Sequence, residues 1–281
     1  MRLLFFSLIF FFSCKEQSVQ TDVLDNIVSG NKIIYFSQSI DGENIMRKVI
    51  IHAHQDPLDK VDYPLVFFFH GNGGDAERWI NNNKNMIDNH EFIGVYPQGY
   101  KKSWNLGQER SNADDIEFVE MIMDNLLGYD NIDFGKVFAI GTSNGSALVN
   151  ELGIKVDFFR GIAPIASQLN KNQDPSQSKN SMSIYQVCAS DDDIIPYNGG
   201  ISKVGHDFRS AHDSALLWAN AMDCDSFYEK NKISNDSLFI YSNCNNKNEV
   251  LFRRVEGANH NLNGKGGLII RDVWRYFDML E

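Results

Sequence analysis

The chain has 281 residues, of which 43% are hydrophobic, 12% aromatic and 22% charged, proportions that exclude a disordered, collagen-like or coiled-coil protein. Asp and Glu number 37 against 26 Lys and Arg, which gives a formal net charge of -11 at pH 7. This acidic balance argues against sequence-independent nucleic-acid binding, which needs a basic face, and it favours a neutral substrate over a polyanionic one.

The N-terminal residues have the pattern of an export signal. Positive charge at the start is followed by an almost wholly apolar run over residues 3–12, which is too short to span a bilayer. Ser13 and Cys14 come next, and the chain then turns polar, as in a bacterial lipoprotein signal with a lipidated cysteine. The alternative is a plain signal peptide that is cut nearby. We therefore expect an exported protein, either an outer-membrane or cell-surface lipoprotein that meets the membrane only through Cys14, or a periplasmic or secreted one.

The rest of the chain alternates between strand-like and helical patterns. With a signal peptide over residues 1–13, residues 14–30 are predicted to form a polar tether and residues 31–281 a single α/β domain. Apolar runs typical of strands cover residues 33–36, 49–52, 65–69, 92–96, 136–140, 161–165, 184–188 and 250–255. Apolar residues recur at helical spacing over residues 114–127, 208–221 and 268–280. This alternation predicts a mostly parallel central sheet with helices on both faces.

The pentapeptide Gly141-Thr142-Ser143-Asn144-Gly145 matches the G-x-S-x-G pattern. It directly follows the strand-like residues 137–140 and precedes a helical stretch that starts near Ser146, which is the setting of a nucleophile elbow. Glycines suit this turn because a Cβ would not fit beside an exposed serine, and the helix N-terminus favours negative charge in front of it. The alternative is a tight glycine turn without catalytic function.

An activated serine needs a base and a carboxylate that orients the base. Among seven histidines, only His260 lies late in the chain, in a Gly- and Asn-rich loop after a strand. The run at residues 191–193 consists of three aspartates and lies between Ser143 and His260, which is where an α/β-hydrolase carries its acid. Such a run is also typical of a solvated loop or a set of calcium ligands, and these residues alone leave open which aspartate is the acid.

A second glycine-rich loop, His70 to Gly74, follows the most apolar strand. A backbone N–H from this loop is expected to stabilise an oxyanion together with the N–H of Asn144, and the candidates for the second donor are Asn72 and Gly73. The rival interpretation is a phosphate-binding loop, but the Lys-Ser/Thr pair of a P-loop is missing.

Together these motifs resemble the secreted esterase family that contains polyhydroxybutyrate depolymerases, feruloyl esterases and acetylxylan esterases (carbohydrate esterase family 1 and its relatives). The resemblance runs from Tyr63 to Tyr276. It is carried by the segments 68–74, 96–99, 104–105, 114–118 and 141–145 and by the acid loop at 188–197. The resemblance implies an α/β-hydrolase fold, and the alignment of the acid loop implies that Asp192 is the acid.

The cysteines fit an exported protein. An oxidising compartment favours a disulfide between Cys224 and Cys244, which both lie in polar segments, and a disulfide of the family matches this position. Cys188 follows an apolar run and is predicted to be a free, half-buried thiol rather than a nucleophile.

The resemblance implies a serine esterase in which Ser143, His260 and Asp192 act without a metal or organic cofactor. The expected substrates are feruloyl or acetyl esters on neutral polysaccharide fragments. Trp104 and Tyr197 are candidates to line an aromatic-accepting pocket, and a structural role is the alternative for each. Two other functions stay open: a depolymerase of short polyhydroxyalkanoate esters, and a catalytically idle hydrolase fold that serves as a surface binding protein.

Overall fold

The computed structural model describes residues 26–281, without the side chains of residues 229–232. The strands in chain order are β1 (Asn31–Ile40), β2 (Glu43–His52), β3 (Tyr63–Phe69), β4 (Ile93–Pro97), β5 (Ile132–Thr142), β6 (Gly161–Ile165), β7 (Ser183–Ala189), β8 (Gly200–Ile201), β9 (Asp207–Phe208), β10 (Ser226–Ile233), β11 (Asp236–Ser242) and β12 (Val250–Val255). The α-helices are α1 (Ala76–Asp88), α2 (Asp115–Leu126), α3 (Asn144–Lys155), α4 (Ala211–Ala221) and α5 (Gly266–Asp278).

Ten of these strands form one sheet in the order β1-β2-β4-β3-β5-β6-β7-β12-β11-β10. The six central strands, from β4 to β12, are parallel, and antiparallel strands extend the sheet at both ends. The loops that follow β3, β5, β7 and β12 therefore emerge at the same edge of the sheet, which is where open α/β sheets bind their ligands.

The central strands are apolar on both faces because helices cover both faces. Along β3, Leu65 and Phe67 pack into a core under α2, α3 and α4, whereas Val66 and Phe68 pack into a second core under α1 and α5. Alternation of this kind turns a continuous apolar run into a strand that is buried on both sides. The predicted mostly parallel α/β sheet is confirmed.

All eight predicted strands are present, but the structure adds elements that the patterns did not indicate. Helix α1 is rich in asparagine and buries only one narrow stripe that includes Trp79, Met86 and Ile87. Strands β10 and β11 form an antiparallel hairpin at the edge of the sheet. Strands β8 and β9 form a separate two-stranded ribbon, and we call residues 200–208 the flap.

The last residues of the predicted 14–30 tether pack against the fold. Val28 is fully buried, its N–H donates to Oδ1 of Asn131 at 2.8 Å, and its carbonyl oxygen accepts Nδ2 of the same side chain at 3.0 Å. The N–H of Gly30 donates to the carbonyl oxygen of His54. The signal peptide over residues 1–13, Cys14 and the rest of the tether lie outside the described residues. Among residues 26–281, no helix is long and apolar enough to cross a membrane.

The predicted disulfide is present, but the free thiol of Cys188 is more deeply buried than predicted. Cys224 and Cys244 form a disulfide. Cys188 is free, but it is fully buried rather than half-buried, because it lies on β7 beneath Ala211 and Ala215 of α4. This burial raises the pKa of the thiol, so Cys188 is a core residue and not a nucleophile.

The disulfide gives the first prediction. Replacing both Cys224 and Cys244 with serine frees a covalently closed loop and is expected to lower the free energy of unfolding by about 3 kcal/mol, measured by urea denaturation. Dithiothreitol provides the control, since it should bring the unmodified protein to the same stability and leave the double variant unchanged. Equal stability of both proteins under oxidising conditions would contradict the prediction.

Candidate active site

Ser143 lies on a sharp turn between β5 and α3, with backbone angles φ 54° and ψ -118°. A non-glycine residue adopts this region only where the surroundings impose it. Here the two flanking glycines allow the turn. A Cβ on Gly141 would overlap the carbonyl oxygen of Gly145, and a Cβ on Gly145 would overlap the carbonyl oxygen of Phe69. The predicted elbow is therefore a place where strand β3, strand β5 and helix α3 approach one another too closely for any side chain.

Three predicted residues meet at the end of the sheet. Nε2 of His260 lies 2.9 Å from Oγ of Ser143, and Nδ1 of His260 lies 2.8 Å from Oδ2 of Asp192. The carboxylate can only accept, so Nδ1 carries the proton and Nε2 is left to accept the hydroxyl of Ser143. The side chain of Asp192 is only 3% exposed and that of His260 11% exposed, which keeps bulk water from competing for these hydrogen bonds.

The structure separates the three consecutive aspartates. Oδ1 of Asp192 accepts the N–H groups of Ile194 and Ile195 at 2.9 and 2.8 Å, which fixes the carboxylate toward His260. Asp191 accepts the hydroxyl of Ser190, and Asp193 forms an exposed ion pair with Lys203. The three carboxylates thus contact three different partners and do not converge on one site for a cation such as calcium. In the described part of the chain, no three His, Cys, Asp or Glu side chains gather as a metal site.

The backbone N–H groups of Asn72 and Asn144, residues that line one cavity together with Ser143, make no hydrogen bond within residues 26–281. Asn144 is the first residue of α3, so its N–H has no intrahelical partner. The N–H of Gly73, the alternative donor from the sequence, is already bonded to the carbonyl oxygen of Lys102 at 2.8 Å. This corrects the sequence assignment in favour of Asn72, because an N–H that is held by a loop carbonyl is not free for an oxyanion.

His70 holds the loop that contains Asn72. Its Nε2 accepts the backbone N–H of Gly99 at 3.0 Å, so Nδ1 carries the proton and donates to the carbonyl oxygen of Gly71 at 2.8 Å. Nε1 of Trp104 donates to the carbonyl oxygen of His70 at 2.7 Å. Burial is the main reason that the pKa of His70 is lowered, and the imidazole is therefore neutral where it supports the loop.

Neither predicted aromatic residue lines a cavity at Ser143. Trp104 is fully buried, with its ring against Phe69 and His70, and the internal acceptor just described satisfies its indole N–H. Tyr197 packs against Phe252, with the guanidinium group of Arg254 over its ring. Their predicted contribution to a substrate pocket is wrong, and their structural roles are the ones observed.

Two cavities open beside Ser143. The first, of about 440 Å³, lies between the loop 101–110 and the flap, and we call it the flap cavity. The second, of about 430 Å³, lies between the His70–Gly74 loop and the residues that follow His260, and we call it the histidine cavity. Asn72 and Ser143 line both, so the two cavities meet at the candidate nucleophile.

One further pair of residues at this site has no motif or spacing that would predict it from the sequence. Glu109 and His206 are 97 positions apart in loops without a motif, yet Nε2 of His206 lies 2.8 Å from Oε1 of Glu109 at the wall of the flap cavity. Only the fold brings these two loops together.

Comparison with known proteins finds similarity to esterases. No family model matches the chain. The chain is 25% identical over 228 residues to feruloyl esterase B of Piromyces equi, a match that covers 76% of this chain and 42% of the esterase. The chain therefore spans less than half the length of that curated relative.

Solved structures show the same fold at low sequence identity. The acetyl xylan esterase of Aspergillus awamori superimposes with a TM-score of 0.57 at 12% identity, over 82% of this chain and 94% of the esterase. The feruloyl esterase module of Clostridium thermocellum in complex with sinapinate gives a TM-score of 0.54 at 12% identity, over 89% of both chains. The chain has the α/β-hydrolase fold. The resemblance to these esterases that the sequence motifs indicated is confirmed.

The buried His70 predicts how stability depends on pH. Its folded pKa is lowered, so the unfolded chain binds the proton more readily, and the free energy of unfolding should fall as the pH drops below about 6.5. In His70→Asn this fall should be smaller, although His52, whose pKa is also lowered by burial, retains part of it. Urea unfolding between about pH 8.5 and 5.0 measures the difference, and the slopes above pH 7.5, where both folded and unfolded histidines are neutral, serve as the internal control. Identical slopes below pH 7 would contradict the buried neutral state of His70.

Proposed function

We propose that the chain is a carboxylic ester hydrolase that works through a covalent acyl-enzyme on Ser143. The observation that carries this proposal is the hydrogen-bonded series Asp192–His260–Ser143 beside the two free N–H groups of Asn72 and Asn144. The similarity to feruloyl esterase B and to the acetylxylan and feruloyl esterase structures supports it.

The proposed reaction proceeds in two steps. His260 takes the proton of the Ser143 hydroxyl as the oxygen attacks the ester carbonyl, and Asp192 stabilises the imidazolium that forms. The oxyanion of the tetrahedral intermediate accepts the N–H groups of Asn72 and Asn144, and the N-terminus of α3 adds its dipole. His260 then gives the proton to the leaving alcohol. In the second step, water attacks the acyl-enzyme with the same base, which releases the acid and restores Ser143.

The position of His260 assigns the two cavities to the two halves of an ester. A general acid has to reach the oxygen of the leaving alcohol within hydrogen-bond distance. His260 lines the histidine cavity and not the flap cavity. The alcohol therefore belongs in the histidine cavity, and the acyl group belongs in the flap cavity.

The walls of the two cavities favour a substrate with an apolar acyl group and a hydroxyl-rich alcohol. Apolar side chains at 106, 194, 195, 204 and 208 line the flap cavity, whose volume lies in the range of small-molecule sites and exceeds what an acetyl group fills. The histidine cavity has a mixed wall, with polar residues such as Asn82 and Asn261 that can bind hydroxyl groups and apolar ones such as Trp79 and Ile270. We infer that the substrate is a feruloyl-type ester of a neutral polysaccharide fragment and that acetyl esters react as smaller substrates.

The three adjacent aspartates provide a sharp test of the mechanism. Ser143→Ala and Asp192→Asn should each lower kcat on p-nitrophenyl acetate and methyl ferulate by a factor of roughly 10⁴, because the first removes the nucleophile and the second removes the anion that holds the imidazole. Asp191→Asn and Asp193→Asn are matched controls at exposed neighbouring positions and should leave kcat unchanged. Full activity of Ser143→Ala would refute the proposed nucleophile. No activity of the folded unmodified protein on any ester would refute the proposal as a whole and favour a surface binding protein.

We also propose that residues 31–281 form a single catalytic domain and that the protein is exported and lipid-anchored at Cys14. The N-terminal sequence pattern and the disulfide between Cys224 and Cys244 support export, since disulfides persist in oxidising compartments.

Metabolic labelling with a palmitate analogue in a Gram-negative bacterium tests the anchor. The unmodified protein should carry the label and fractionate with membranes, whereas Cys14→Ala should carry none and lose its membrane association. An unlabelled protein in the soluble extracellular fraction would indicate the plain signal peptide instead.

A further inference from the structure

Glu109 is a nearly buried carboxylate that accepts hydrogen bonds from three parts of the molecule. Its side chain is 12% exposed. Oε2 accepts the backbone N–H groups of Leu106 and Gln108 at 2.7 and 3.1 Å. Oε1 accepts Nε2 of His206 at 2.8 Å and Nδ2 of Asn144 at 3.2 Å. Burial, the largest single effect, raises the pKa of Glu109, but the hydrogen bonds from His206 and from the N–H groups of Leu106 and Gln108 together keep that pKa below its usual value.

One of these partners is part of the proposed oxyanion site. The side chain of Asn144 has all of its hydrogen-bonding capacity fixed by the loop 101–110. Its Oδ1 accepts the N–H of Trp104 at 2.8 Å and the hydroxyl of Ser103 at 3.2 Å, and its Nδ2 donates to the carbonyl oxygen of Trp104 at 3.0 Å as well as to Glu109. The residue whose backbone N–H faces the oxyanion is therefore held by the loop that forms one wall of the flap cavity.

The other partner belongs to the opposite wall. His206 lies on the flap, whose base forms a bridge between Phe208 and Asn170, while Lys203 at the flap turn forms only an exposed ion pair with Asp193. Among the described residues, the hydrogen bond from His206 to Glu109 links the flap to the loop 101–110, and His206 is itself only 9% exposed. The flap contributes Val204, His206 and Phe208 to the lining of the cavity, and the loop contributes Leu106 and Glu109.

We propose that Glu109 and His206 are positioning residues that set the acyl-group preference of the enzyme, a proposal that rests on the esterase function given above. Their hydrogen bond holds the flap at the distance from the loop that forms a cavity for a bulky acyl group. Through Asn144, the same carboxylate holds the residue that donates to the oxyanion. His206 thus acts on acyl size alone, whereas Glu109 acts on acyl size and on the chemical step.

The test compares esters that share one leaving group, so that only the acyl group varies. For p-nitrophenyl ferulate, butyrate and acetate, kcat/KM is measured in the unmodified protein and in His206→Ala. Loss of the hydrogen bond to Glu109 should lower the ratio of kcat/KM for the ferulate ester to kcat/KM for the acetate ester by roughly tenfold, mainly because KM for the ferulate ester rises. The kcat/KM for the acetate ester should stay within about threefold of the value for the unmodified protein. His206→Gln retains an N–H donor and should recover most of the ratio.

Two further variants separate the roles. Glu109→Gln exchanges an acceptor oxygen for an NH₂ group that faces other donors. It should therefore lower the ferulate-to-acetate ratio of kcat/KM as His206→Ala does, and it should also lower kcat for the acetate ester roughly tenfold. Lys203→Ala is the matched control. It removes the exposed ion pair at the flap turn without touching Glu109, and exposed pairs contribute little, so the ratio should stay unchanged. Thermal unfolding and circular dichroism confirm that each variant is folded.

The outcomes distinguish this proposal from the proposed function. One outcome is that the unmodified protein hydrolyses the esters while His206→Ala lowers kcat/KM equally for all three of them or for none. In that case the pair is merely structural, and this inference is overturned although the proposed esterase function is supported. If the Lys203→Ala control changes the ratio as strongly as His206→Ala does, any disturbance of the flap suffices and the specific role of the pair is refuted. If the unmodified protein hydrolyses none of the esters, the proposed function fails and this inference fails with it.

Discussion

The close approach of helix α3 to the ends of strands β3 and β5 is the constraint on which the rest of the site depends. Because no Cβ fits at Gly141 or Gly145, the chain can turn sharply enough to hold Ser143 at φ 54°. The turn places the Ser143 hydroxyl above the sheet edge and the N–H of Asn144 beside it, at the positive end of the helix. The strain of this backbone conformation is sustained by the packing of fully buried strands on both sides of β5.

The loops around the elbow are held by buried polar contacts rather than by apolar packing. Arg47 of β2 and Asp115 of α2 form an ion pair at 2.7 Å with side chains that are at most 2% exposed. The second oxygen of Asp115 accepts the N–H of Asn105 at 2.7 Å. From there the loop reaches Asn144 and, through Trp104, the carbonyl oxygen of His70. Removing one partner from such a network leaves the other buried without compensation, which is costly. The N–H groups that we propose as oxyanion donors are thus positioned by a connected set of contacts that starts at Arg47 on β2.

Much of this site could be predicted because it depends on chain order. The elbow has a local motif, and a single histidine lies late in the chain in a loop after a strand, so Ser143 and His260 follow from the sequence of elements. The choice of Asp192 among three aspartates needed the family resemblance. In the structure, the two N–H groups of Ile194 and Ile195 distinguish it from its neighbours, and such contacts leave no trace in composition.

The features that could not be predicted depend on contacts across the fold. The N–H of Gly73 is taken by Lys102, and Trp104 turns inward to His70. Helix α1 was missed because its asparagines obscure a narrow apolar stripe, and the flap was missed because its two short strands carry no periodic signal. Glu109 and His206 are ordinary polar loop residues until the sheet brings their loops to one cavity.

The most direct test of this account is rapid-quench mass spectrometry of the protein during turnover of p-nitrophenyl butyrate. A butyryl group should appear within the burst phase on the peptide that contains Ser143, and it should disappear as the substrate is consumed. Turnover without any acylated peptide, or acylation of a peptide other than the one with Ser143, would contradict the covalent mechanism at the elbow.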